Sequence, residues 1–206
     1  MMTLKKAALG VAITAALFSA QAMSAEAGDL KLRVGAAGVY PTGDSEDLGG
    51  AKVEAESAWS LGLSLTYMFT DNIGLGVLGA YPFTHDIKLD GAGKVAETTE
   101  LPPTITLQYF FNNSSAFTPF VGAGINYTIF WDEKTTGALA GTNLSLDDSW
   151  GYALEAGVDY DINEKWMVSA QVYYIDIDTK ADSSAAGKFD VQIDPVAYLF
   201  TAGYKF

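Results

Sequence analysis

Few residues in this chain combine the type and spacing that chemistry needs. Asp176 and Asp178 are two apart, so on a strand they share a face. Paired carboxylates act as acid and base only at a defined separation across a substrate cleft, and no cleft is indicated. A sugar-nucleotide reading of Asp-x-Asp is equally thin, and two acids at a strand rim are most often a solvated edge. His85 is the only histidine and there is no cysteine, so histidine metal sites and catalytic triads have no support. Gly122 and Gly124 open no helix and form no dinucleotide loop. The expectation is a protein that is not an enzyme and uses no cofactor or metal. Two groups remain: the charges Lys31, Arg33, Glu155 and Asp159, and a set of apolar residues whose meaning depends on the way they face.

The elements that position them begin after a leader. Lys5 and Lys6 precede the apolar run Ala7 to Ala20, and small residues follow at Ala22, Ser24 and Ala25. This is the pattern of a secretory signal peptide, and the run is too short for a membrane-spanning helix. The cut falls after Ala22 or Ala25, with Ala25 preferred, which leaves 26–206 as the mature domain. Residues 1–25 hold two of the 12 basic residues and none of the 25 acids, so the remainder has a net charge of −15. That balance excludes nucleic acid as a partner, because phosphate binding needs clustered Lys and Arg. Without cysteine, a secreted chain is not held by disulfides. No second long apolar stretch exists, which excludes a helical membrane protein.

Period-two alternation predicts eight strands, near 29–40, 58–69, 73–84, 101–111, 119–131, 148–160, 165–178 and 190–206. Trp59, Leu61, Leu63, Leu65, Tyr67 and Phe69 share one face of the second. Ile73, Leu75, Val77, Gly79, Tyr81 and Phe83 do so on the third, and Tyr198, Phe200, Ala202, Tyr204 and Phe206 on the eighth. A soluble barrel would turn this face inward. The opposite face, however, carries Lys31, Arg33, Glu155 and Asp159, which facing outward would be unpaired charges in oil.

Aromatics on the apolar face collect at strand ends: Tyr40, Trp59, Tyr81, Phe83, Trp131, Trp150 and Tyr174 toward one, Tyr67, Phe69, Tyr109, Phe111, Tyr160, Trp166, Tyr204 and Phe206 toward the other. Such belts mark membrane interfaces. Connections alternate between short (70–72, 112–118, 161–164) and long (41–57, 85–100, 132–147, 179–189). The expected fold is therefore all-β: an eight-stranded antiparallel transmembrane β-barrel with short periplasmic turns and longer extracellular loops. It belongs in a bacterial outer membrane, in contact with lipid and lipopolysaccharide. The terminal aromatic Phe206 is expected to be read by the outer-membrane assembly machinery.

With the strands placed, the sequence resembles the OmpW family along nearly all its mature length. The matching stretches are Glu26-Ala-Gly-Asp29, Leu65-Thr-Tyr-Met-Phe-Thr-Asp-Asn-Ile-Gly74, Leu101-Pro-Pro-Thr104, Pro119-Phe-Val-Gly-Ala-Gly-Ile-Asn-Tyr-Thr128, Asp148-Ser-Trp-Gly151, Asp176-Ile-Asp-Thr179 and Ala202-Gly-Tyr-Lys-Phe206. The resemblance implies a narrow barrel with an unusually apolar lumen, passive uptake of small hydrophobic solutes, and a sideways exit into the membrane. It also implies that the lumen narrows at Leu78 and Tyr173. The family usually has Trp at the second position, so Tyr173 is a milder constriction.

Alternation places Met68, Leu78, Phe110, Phe120, Phe130, Met167, Tyr173, Ile175 and Leu199 inward. They either fill a narrow barrel or form an apolar solute site, for which Leu78, Tyr173, Phe130, Ile175 and Met68 are the candidates. Lys31, Arg33, Glu155 and Asp159 form a charged floor, read as an ion-paired plug in preference to a conducting pore. Pro102 and Pro103 either mark a loop-to-strand boundary, the slightly favoured reading, or break the pairing with strand three and open a lateral route. A channel for hydrophobic solutes is the leading function. A closed structural or adhesive barrel whose loops bind external partners is the alternative.

Overall fold

The computed structural model describes residues 25–43 and 52–206. The expected leader up to residue 24, with the cut after Ala22, lies outside the described residues. Eight strands make the wall: β1 (Leu30–Tyr40), β3 (Ala58–Met68), β4 (Ile73–Ala80), β7 (Thr104–Phe110), β8 (Phe117–Thr135), β10 (Ser149–Asp161), β11 (Trp166–Ile175) and β14 (Val196–Lys205). Each pairs antiparallel with the next. β14 returns to β1, from Lys31 opposite Lys205 to Tyr40 opposite Val196, which closes the wall. In oil, only a helix or a closed barrel gives every backbone group a partner.

The short connections are built from turn chemistry. The Thr70 hydroxyl accepts from the Ile73 amide at 3.0 Å, and Asn163 Oδ1 accepts from the Trp166 amide at 3.0 Å. The long connections are more ordered than the alternation suggested. They contain β2 (Val53–Ala55), β5 (Phe83–Leu89), β6 (Gly93–Leu101), β9 (Leu144–Leu146), β12 (Asp178–Ser183) and β13 (Gly187–Gln192). β6 pairs with the upper end of β8, so one wall of the barrel continues upward as sheet. Residues 190–192, expected at the start of the last wall strand, belong instead to the β12–β13 hairpin.

Alternation is obeyed through the wall. Trp59, Leu61, Leu63, Leu65 and Tyr67 are exposed, and Met68, Phe110, Phe120, Met167, Tyr173, Ile175 and Leu199 are buried. Phe83 is the correction. It was expected in the upper belt but is 2% exposed. β4 ends at Ala80, and two residues outside any strand, Tyr81 and Pro82, reset the phase before β5. Proline has no amide to continue the ladder, so side-chain parity need not carry across it.

Val77 and Leu78 test the assignment of faces. Val77 is 42% exposed and Leu78 7%. Val77→Arg is expected to cost ~2–4 kcal/mol, because its charge meets hydrocarbon near mid-depth. A polar residue at 78 is expected to cost less. Urea titration of barrels folded into bilayers measures both, and equal costs would contradict the assignment.

Candidate functional site

The lumen is filled in layers. At the periplasmic end, Met68, Phe110 and Phe120 form one apolar cluster, against which Ala25, the last residue of the expected leader, packs. The Phe110 and Phe120 rings stack with centroids 4.8 Å apart. Met68 is thus separated from the other proposed solute contacts.

The charged floor lies beside this cluster. Arg33 grips Asp159 with two bonds, Nε to Oδ1 at 3.0 Å and Nη2 to Oδ2 at 2.7 Å. Lys31 Nζ reaches the same carboxylate at 3.4 Å and sits 4.2 Å from the Phe110 ring centre. Glu155 is held differently from the expected ion pair. It accepts from four neutral side chains: Thr106 Oγ1 at 2.7 Å, Gln108 Nε2 at 2.8 Å, Gln171 Nε2 at 3.0 Å and Tyr173 Oη at 2.7 Å. The two halves join through Thr66, which accepts from Arg33 Nη1 at 2.9 Å and donates to Gln108 Oε1 at 2.9 Å. Sequence reasoning missed Thr66, Thr106, Gln108 and Gln171, although parity puts all four inward. It also missed a second buried pair, Lys205 to Asp161 at 2.8 Å.

Glycines make room for this network. A Cβ on Gly76 would lie 2.4 Å from Gln108 Nε2, and one on Gly122 would lie 2.9 Å from Glu155 Oε2. In so narrow a barrel, inward glycines are what let long polar side chains cross. The side chains of Arg33 and Asp159 are 0% and 1% exposed, so protein fills the lumen at this level.

Above the floor, Leu78, Tyr173, Phe130 and Ile175 meet in a second apolar cluster with Phe83, Ile177 and Leu199. Four of the five proposed solute contacts are therefore brought together, but as packed side chains. The open space lies higher. A cavity of about 710 Å³ rests on Phe130, Val39 and Ile177 and is walled by the loop strands, with Leu146, Phe189 and Val191 in its lining. Of the proposed contacts, only Phe130 lines it.

One part of the cavity wall is polar. His85 Nδ1 lies 2.6 Å from the Glu56 carbonyl oxygen, and Nε2 lies 3.3 Å from Glu100 Oε1. His85 stands beyond Tyr81, above the membrane-spanning part. Burial works against its charge, but the bonds to Glu100 and Glu56 outweigh burial and hold its pKa above the ordinary 6.5.

The wall itself is interrupted beside this region. β4 pairs with β7 only as far as Leu78 opposite Thr104, and β5 pairs with β6 from Phe83 opposite Glu100. Residues 79–82 therefore face 101–103 without a ladder pair. On the other side the sheet continues, with Leu101 opposite Ile129 and the Tyr127 amide donating to the Pro103 carbonyl at 3.1 Å. Pro102 is buried and Pro103 half-buried.

The comparisons with known proteins agree with this architecture. The OmpW family model matches residues 26–206. Outer membrane protein W of Vibrio cholerae serotype O1 is 43% identical over 217 residues, covering 98% of this chain and 100% of the relative. Outer membrane protein W of Escherichia coli K12 is 44% identical over the same shares of each chain. The crystal structure of OprG from Pseudomonas aeruginosa superimposes with a TM-score of 0.80 at 40% identity, covering 89% of this chain and 98% of OprG.

Proposed function

Since this chain belongs to the OmpW family and folds as an eight-stranded barrel of the bacterial outer membrane, we propose that it is a passive channel for small hydrophobic molecules that releases them sideways into the membrane. The observation that carries this reading is the order of layers in the lumen. A largely apolar cavity stands above a packed apolar cluster, which stands above an ion-paired floor.

Energetics favour the sideways route. A solute that hides ~150 Å² of apolar surface gains about 4 kcal/mol at ~25 cal/mol per Å². Lost freedom on binding offsets much of that, so binding is weak and release is quick, as a conduit requires. Going straight down would mean parting Arg33 from Asp159, and uncoupling a buried pair costs ~3–5 kcal/mol. Leaving between 79–82 and 101–103 breaks no ladder pair. Leu78, Phe130, Tyr173 and Ile175 would then be the apolar surface over which the solute moves. Met68 lies in the periplasmic-end cluster beside the floor and has no part in that route.

The test is to narrow the cavity. Ala181 lines it and is buried. In vesicles, Ala181→Trp is expected to bring uptake of a small apolar reporter down toward the protein-free rate, with the barrel still folded. Unchanged uptake would take the cavity out of the route, and uptake by the unaltered barrel no faster than the protein-free rate would favour the alternative, a closed structural or adhesive barrel whose loops bind external partners.

A further inference from the structure

The polar wall of the cavity is incompletely satisfied. His85, Thr98 and Glu100 all line the cavity, at 5%, 5% and 4% exposure. His85 and Thr98 are register partners across β5 and β6, and Glu100 is two residues further along the same face. The Glu56 carbonyl can only accept, as can Glu100 as a carboxylate, so the two contacts of His85 are both hydrogen bonds when the ring is doubly protonated, and each nitrogen then donates. This occupies Glu100 Oε1. Glu100 Oε2 and Thr98 Oγ1 are buried with no hydrogen-bond partner among the described residues. Buried polar atoms are ordinarily paired, and an orphan carboxylate oxygen is among the costliest to leave.

We propose that the cavity selects solutes carrying a hydroxyl group on an apolar body, namely small alcohols and phenols. The solute O–H donates to Glu100 Oε2, and its oxygen accepts from the Thr98 hydroxyl. The apolar remainder rests on Leu146, Ile177, Phe189 and Val191. A pure hydrocarbon leaves both atoms unpaired. An ammonium would be desolvated beside a carboxylate that His85 already balances, so a neutral donor fits better. Glu100 is also the last residue of β6 that pairs with β5 before the interrupted stretch 101–103, so the bond would form where the solute reaches its exit. This inference rests on the channel reading and sharpens its solute class.

The probes are 2-naphthol and 2-methoxynaphthalene, which share a ring and an oxygen but differ in that only the first donates. Each is titrated by fluorescence against the barrel in lipid nanodiscs, with empty discs subtracted, and uptake of each is followed in vesicles. Glu100→Leu is expected to reduce the preference for naphthol about tenfold, the size of one hydrogen bond to a charged group. Thr98→Val keeps the side-chain shape and the His85–Glu100 pair, and is expected to reduce it about threefold, as for a neutral bond. Affinity for the methyl ether should stay unchanged in both. If Glu100→Leu fails to fold, Thr98→Val alone decides. A naphthol preference unmoved by these substitutions, with uptake of both probes intact, overturns the inference and leaves the channel standing. Uptake of neither probe by the unaltered barrel overturns both.

Discussion

Asp159→Ala is expected to lower folding stability by ~3–5 kcal/mol, the largest effect of any single substitution in the wall. Among the described residues, Asp159 is the one carboxylate that both Arg33 and Lys31 reach. Removing it strands two cations in the interior of a barrel whose other partners there are a hydroxyl and two aromatic rings. Glu155→Gln should cost less, because Glu155 is held by neutral donors and a Gln oxygen can still accept from some of them. Replacing the whole group, as in Lys31→Met with Arg33→Met and Asp159→Leu, should recover much of the loss, since no charge is then left unpaired. Urea unfolding in bilayers measures all three. A loss under ~1 kcal/mol for Asp159→Ala would mean that water reaches the floor and the pair is screened.

Pro102→Val is expected to remove most of the protein-dependent uptake of an apolar reporter. A residue's amide and carbonyl point to the same side of its strand. The Pro103 carbonyl accepts from the Tyr127 amide, so position 103 faces β8 and position 102 faces the interruption opposite β4. Pro102 is thus the residue whose missing N–H keeps that side unpaired. Valine there supplies the donor and lets the wall close. Pro103→Val adds a donor toward β8, where the sheet already continues, and should leave uptake nearly unchanged. The triple floor variant, Lys31→Met with Arg33→Met and Asp159→Leu, separates the two routes. If solutes leave sideways, it transports as the unaltered barrel does. If they pass through the floor, taking away these three charges makes uptake faster. Vesicle uptake with all three variants decides between the routes.

Much of this was legible in the sequence, for a definable reason. In a closed wall, parity fixes direction, so the burial of Leu78, Tyr173, Phe130 and Ile175 and the exposure of Val77 follow from alternation alone. The charges of the floor were legible because Lys, Arg, Asp and Glu cannot face lipid. Its neutral members were not. Thr66 and Gln108 have no such compulsion, and their partners lie on other strands at heights set by register. Phe83 was misplaced because alternation was carried through Pro82, where the strand stops. The cavity was invisible for a different reason. Val95, Leu139, Leu146 and Phe189 lie in the long connections, where expecting loops hid the strands that enclose it.

Apolar solutes are expected to reach the membrane interior while the lumen stays shut to water-borne ones. The direct measurement uses vesicles with lipopolysaccharide in the outer leaflet. It compares the rate at which a small apolar reporter enters the bilayer with the rate at which a polar solute of equal size reaches the vesicle water. The barrel is expected to accelerate the first and leave the second at the protein-free rate. Acceleration of the polar solute to a comparable rate would contradict it, because that requires an open path past Arg33 and Asp159.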